Sequence, residues 1–251
     1  MSPNVMQRNR RPGGIMNAGW KFIAATMLAG MLATPASGTP LIDWDPAFFY
    51  EPGAFFDSSI PGNEMKIVGV ISHFGPPLEF LNPNIGPKEY TFFIYGLISE
   101  GTATIGSLPN QFYITTYNTN NPVGTIEIYE DSSPDMVFTP NPENGDVPSR
   151  FTDGTLILKG TVKDFFTQTN SNITPYQTGN SEGKIAWTGG DLFGYMGEDN
   201  CLDLFTGGLT WSQLPNVGIQ GYLFRHDGKI DNECPTPTRT STWGRMKTLY
   251  R

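Results

Sequence analysis

Short apolar runs separated by turn residues dominate the chain, and several of them alternate apolar with polar at a period of two. In residues 125–130, Ile126 and Ile128 fall on one side, with Thr125, Glu127 and Tyr129 on the other. Residues 111–117 alternate as well. In residues 155–162, Leu156, Leu158 and Val162 point one way while Lys159, and Lys163 just beyond, point the other. Residues 65–72 form a continuous apolar run with β-branched content. Residues 90–99 are apolar on both faces, as in a strand covered on both sides. Residues 165–169, 184–188 and 217–225 read as further strands, and His226-Asp227-Gly228 as a hairpin turn into Lys229 and Ile230.

Eight or nine short strands without intervening helices predict an all-β chain, organised as a single β-sandwich or jelly-roll-like domain over residues 65–234. Its long polar loops are expected at 131–153 and 170–183. Residues 39–64 carry Trp44, Phe48, Phe49, Phe55 and Phe56 without alternation, and read as an irregular arm packing aromatics onto the body. Composition agrees: 29 Gly and 21 Pro supply turns, and aromatic residues reach 13% while charged residues stay at 16%.

The two ends differ from the body. Arg8, Arg10, Arg11 and Lys21 precede an apolar run at 22–33, and Ala36-Ser37-Gly38 offers small residues for cleavage. Residues 1–38 therefore read as a signal peptide of the general secretory route, cleaved after Gly38, with Ala36 the alternative. Its apolar run is too short to span a bilayer. The expected location is secreted, cell-surface or periplasmic. Residues 235–242 form a Pro/Thr linker, and residues 243–251 a basic tail placed to dock on a partner or on sorting machinery. The chain carries 16 Lys+Arg against 24 Asp+Glu; loss of the leader's four basic residues takes the net charge from −8 to about −12. An acidic surface repels phosphate backbones, which argues against nucleic acid as a partner.

Chemistry-bearing residues are sparse. The two cysteines, Cys201 and Cys234, are expected to pair in an exported chain. His73 and His226 read as turn residues, and no Gly-x-Ser-x-Gly elbow or zinc spacing accompanies them. The carboxylate groups able to serve a glycosidase are Glu127 with Glu130, Asp131 with Asp135, and Glu198 with Asp199 and Asp203. Glu198, Asp199, Asp203 and Asp231 are the oxygen-rich candidates for calcium. Trp187, Tyr195 and Trp211 are the candidates for stacking on sugar rings. The run from Phe151 to Thr161 (FTDGTLILKGT) resembles strands of exported bacterial β-rich proteins of the PEP-CTERM type, although the C-terminal Pro-Glu-Pro signal of that group is absent. That resemblance implies export and a β-rich body, and no activity. The expectation is an exported, non-enzymatic protein with a structural, adhesive or recognition role, a carbohydrate-binding module being the alternative and a secreted glycoside hydrolase the next.

Overall fold

The computed structural model describes residues 39–138, 148–170, 178–196, 201–212, 219 and 221–233. The expected signal peptide, linker and basic tail lie outside these residues. Among those described, the strands are β1 (Thr39–Tyr50), β2 (Glu64–Phe74), β3 (Glu89–Ser107), β4 (Asn110–Asn118), β5 (Thr125–Asp131), β6 (Thr155–Asn170), β7 (Thr178–Gly189), β8 (Asp203–Trp211) and β9 (Phe224–Asn232). Every pairing is antiparallel, and each strand from β5 onward pairs with the next.

The sheet closes on itself. β9 pairs with β1 from Thr39–Asn232 to Phe49–Phe224, and β1 continues through β2 to β3. β4 and β5 share the gap between the two longest strands. β5 bridges the first halves of β3 and β6 through Phe92–Ile128 and Ile128–Leu158, and β4 bridges their second halves through Thr104–Tyr113 and Tyr113–Thr169. The result is an eight-stranded antiparallel barrel rather than the expected sandwich or jelly roll. The difference lies in residues 39–50. They were expected to be irregular, yet they form the strand that joins the two edges of the sheet and so removes both. Register shifts around Trp44 and Ala47 break the period of two that would have revealed a strand.

Further boundaries differ from expectation: β7 begins at Thr178, inside the polar loop expected at 170–183, and β9 begins at Phe224, near the end of the strand expected at 217–225. Residues 155–162 and 165–169 belong to one strand, β6, which bends at a register shift next to Asp164, a non-glycine residue at φ 51°. His226-Asp227-Gly228 is not a turn but the middle of β9. Gly228 is there because a Cβ at that position would stand 2.5 Å from His226 Cε1 and 2.7 Å from the Thr206 carbonyl.

Eight strands enclose a space that side chains can fill, and here aromatic rings fill it. Trp44 lies 5.0 Å from Phe92 and 5.1 Å from Phe205, and Phe165 lies 5.6 Å from Phe205, by ring centroids. The outer wall carries charge at Lys66, Lys159, Lys184, Arg225 and Lys229, the inverse of a lipid-facing barrel. No helix among the described residues is long and apolar enough to cross a membrane. One stretch of the wall is apolar outside as well. Phe48, Val68, Val70 and Phe93 are covered by Met136, Phe138, Phe151 and Tyr222, and Thr91 Oγ1 donates to the Phe151 carbonyl at 2.9 Å. The described ends of the 131–153 loop are thus packed onto the barrel. This explains the two-sided apolar pattern of residues 90–99.

Candidate functional site

The antiparallel register gives the barrel two ends. One gathers the start of β1, the end of β9 and Asp203; the other gathers the end of β1, the start of β9 and Trp211. At the Trp211 end, aromatic side chains from three separate segments meet. Phe55 and Phe56 come from the loop after β1, Tyr113 from β4 and Trp211 from the last position of β8. Trp211 is 4.8 Å from Phe55 and 5.4 Å from Phe56, and Phe56 is 6.0 Å from Tyr113. Phe55 keeps 43% of its surface exposed. The Trp211 indole N–H is shielded from solvent and finds no acceptor among the described residues. An unmet buried donor costs about 1–3 kcal/mol.

The loop carrying the two phenylalanines covers this end of the barrel and is held by a buried carboxylate. Glu51, only 4% exposed, follows β1 directly. It accepts from the Ser59 hydroxyl and from Tyr117 Oη at 2.9 Å. Ser59 Oγ lies 2.5 Å from Ser99 Oγ, and the Ser59 amide donates to Thr102 Oγ1 at 2.8 Å. Thr169 Oγ1 donates to the Phe56 carbonyl at 2.6 Å. Burial pushes the Glu51 carboxyl above its usual range, against the lowering effect of its two donors; burial and the adjacent carboxylate push the Tyr117 phenol up. Pro52-Gly53 and Pro61-Gly62 bracket the segment. That repeat was the available sequence signal for a discrete loop, and nothing in the composition marked Glu51 as buried.

The residues expected to bind ligands are not brought together. Trp187 and Tyr195 lie at the opposite end from Trp211. There the Trp187 indole donates to Asp203 Oδ2 at 2.7 Å, and Tyr195 packs on Phe80 with centroids 5.1 Å apart. All three are half-buried against the core.

The expected calcium ligands do not converge either. Glu198 and Asp199 lie outside the described residues. Asp203 is occupied by Trp187 and by the Glu233 amide, while Asp231 sits in the β9 position facing the other side of the sheet and pairs with Lys229 at 2.9 Å. A different acidic group does form. Glu89 and Asp131 face each other across β3 and β5, and carboxylate oxygens of Glu89, Asp131 and Asp135 all lie within 4.8 Å of one another. The Met136 amide donates to Glu89 Oε2 at 3.2 Å, while Oε1 is buried without a partner among the described residues. Burial, opposed by that amide and reinforced by Asp131, Asp135 and Asp153, pushes the Glu89 carboxyl up. These are possible metal ligands by type and spacing.

Glu127 and Glu130 point to opposite faces of β5, and each is engaged by a lysine. Glu127 accepts from Lys159 at 2.7 Å, from Tyr129 at 2.8 Å and from Tyr95 at 3.3 Å. Glu130 accepts from Lys88 at 2.5 Å and from Tyr90 at 2.7 Å. These donors outweigh desolvation and lower both carboxyls, while burial and the Glu130 hydrogen bond push Tyr90 up to about 12. A glycosidase needs one carboxyl protonated near neutrality and both facing one bond; this pair supplies neither.

His226, expected at a solvent-facing turn, is buried inside the barrel between Trp44 and Ser181. His73 is exposed at the end of β2.

Fold and site together define an antiparallel β-barrel with an aromatic cluster at one closed end. No family model matches the chain, and neither does any curated protein or solved structure.

Proposed function

We propose that the chain is an exported, non-enzymatic recognition protein, acting at the cell surface or outside the cell, with the Trp211 end of the barrel as its binding surface. The observation that carries this is the aromatic cluster of Phe55, Phe56, Tyr113 and Trp211, with an exposed ring at its rim and a buried indole N–H that has no acceptor among the described residues. Flat apolar rings beside an unmet donor suit a sugar, whose CH face stacks on the rings while a hydroxyl oxygen accepts the hydrogen bond.

Export is supported by the leader-like first segment and by where the barrel begins. β1 starts at Thr39, one residue beyond the expected cleavage point, so removal of residues 1–38 leaves every described strand intact. The charged outer wall suits an aqueous compartment.

The test is calorimetric titration of the mature chain with hexasaccharides of cellulose, mannan, chitin and starch type, alongside Phe55→Ala and Trp211→Phe variants. At least one sugar is expected to bind, with affinity at least 10-fold weaker in Phe55→Ala. Flat titrations throughout, or binding unchanged by both substitutions, would overturn the assignment.

A further inference from the structure

The loop over the Trp211 end has the construction of a moving cover. It runs from Glu51 to Asn63, within the size range of compact Ω-loops whose ends lie close together. It is internally braced. Phe55 and Ser58 exchange backbone hydrogen bonds of 2.7 and 3.1 Å, Ala54 donates to the Glu51 carbonyl at 3.3 Å, and Asn63 donates to the Pro52 carbonyl at 2.5 Å. Its glycines Gly53 and Gly62 both stand at positive φ, 74° and 93°, one near each end. Such a segment can swing as a unit about its ends.

Ala54 sits in the barrel core with Phe56 packed against it, Gly62 and Asn63 share backbone hydrogen bonds with Ser99 at the far end, and polar side chains tie down the stretch between. Ser59 is tied to Glu51, Ser99 and Thr102, and the Phe56 carbonyl to Thr169. Glu51 is the centre of this latch, because it also grips Tyr117 in the barrel wall. What the closed loop covers is the Trp211 ring, whose N–H the closed state leaves unmet. A closed state with that deficit is one a ligand can displace by supplying an acceptor.

We propose, building on the recognition function above, that residues 51–63 are a lid latched by Glu51. A sugar ring enters when the lid lifts, lies against Tyr113 and Trp211 and accepts the Trp211 N–H, and Phe55 and Phe56 close over it as the lid comes down. The lid sets how often the site is available, so weakening the latch raises the apparent affinity and fixing it lowers it.

Amide hydrogen exchange on the mature chain tests the lid without any ligand. The lid amides are expected to exchange at least 10-fold faster in Glu51→Gln, and in the milder Ser59→Ala, while the amides of β8 and β9 keep wild-type rates. Unchanged lid exchange in both variants, or equal acceleration across the barrel, overturns the lid. The second arm pins the loop with a Ser59→Cys/Thr102→Cys disulfide, using each single-cysteine variant as the unpinned control and cellohexaose and mannohexaose as probes. Pinning is expected to weaken binding at least 10-fold; equal binding in pinned and unpinned chains overturns the lid. Released lid exchange with no sugar bound by any variant sustains the lid and overturns the sugar as its ligand.

Discussion

The indole N–H of Trp44 donates to Nδ1 of His226 at 3.0 Å, inside the barrel and across 182 positions of sequence. With Nδ1 accepting, the ring proton sits on Nε2, which faces Ser181 Oγ at 2.8 Å. Phe205 stacks parallel to the imidazole, with centroids 5.5 Å apart. In a catalytic triad a histidine accepts the serine proton through a bare nitrogen and is oriented by a carboxylate. Here both roles are reversed, and the imidazole acts as a neutral strut between β1, β7 and β9.

That strut makes the barrel acid-sensitive. Burial lowers the His226 pKa to about 3, because protonating Nδ1 would place a charge among apolar rings and set it against the Trp44 N–H. A base with a lowered folded pKa contributes stability that is present above its unfolded value and lost as pH falls toward the folded one. Between pH 6.5 and about 3, this residue alone is expected to remove about 1.4 kcal/mol per pH unit. Denaturant unfolding at several pH values, compared between wild type and His226→Gln, measures it. The wild-type profile should be steeper by one proton between pH 6 and pH 4.5, and equal slopes would refute the assignment.

The same residue makes two adjacent glycines unequal. A Cβ on Gly207 would fall 2.3 Å from His226 Nε2 and 2.5 Å from the Asp227 carbonyl, whereas one on Gly208 meets nothing closer than 4.0 Å. Gly207→Ala must push His226 out of place or spread β8 from β9, an overpacking cost of roughly 1–3 kcal/mol. Gly208→Ala should be neutral or slightly stabilising, since alanine restricts the unfolded chain. Thermal unfolding of the two variants side by side decides it; equal effects would mean that the contact at His226 does not govern this pair.

Much of the strand content was legible because alternation at residues 125–130 and 155–162 reflects a wall with one apolar face. Closure was not, because the closing strand β1 is irregular at Trp44 and Ala47 and its outward Phe48 is covered by Phe138 and Tyr222. A strand buried on both sides carries no alternation to read. His226 was misplaced for a related reason: beside Asp227 and Gly228 it has the composition of a turn, yet that glycine answers to a close approach. Of the aromatic site, Trp211 stood out as an aromatic in a Gly-rich region. Phe55, Phe56 and Tyr113 did not, because their meeting depends on barrel closure. The acidic group shows the same limit. Asp131 and Asp135 are close in sequence, but Glu89 joins them only through the β3–β5 register.

At that group the electrostatics run against the fold. Glu89 faces Asp131 directly across the ladder, and like charges placed so are destabilising by up to about 1 kcal/mol. A carboxyl whose folded pKa is raised contributes stability below its unfolded value and loses it as pH rises, so at neutral pH the ionised Glu89 opposes folding. With EDTA present, Glu89→Gln is therefore expected to raise the melting temperature by a few degrees at pH 7 and by little at pH 4. A lower melting temperature at pH 7 would show that the packing of Glu89 outweighs the repulsion.

The last relationship concerns Cys201 and the end of β9. There is no free cysteine among the described residues. The Glu233 amide donates to Asp203 Oδ1 at 3.0 Å, so the residue before Cys234 is held against the residue two beyond Cys201. Leu204 pairs with Asp231 in the same ladder. Neighbouring strands lie within the span a disulfide bridges. We expect Cys201 and Cys234 to be joined. Closing a loop of that length contributes roughly 3–4 kcal/mol in the chain-entropy model. Reduction, or the double substitution Cys201→Ser/Cys234→Ser, should lower the melting temperature by roughly 6–16 °C while leaving the exchange rates of the lid amides at 51–63 as they are in the unreduced chain. Mass spectrometry of the unreduced mature chain gives the decisive reading. A mass two hydrogens below the dithiol form supports the bridge, and alkylation of both cysteines without reductant rejects it.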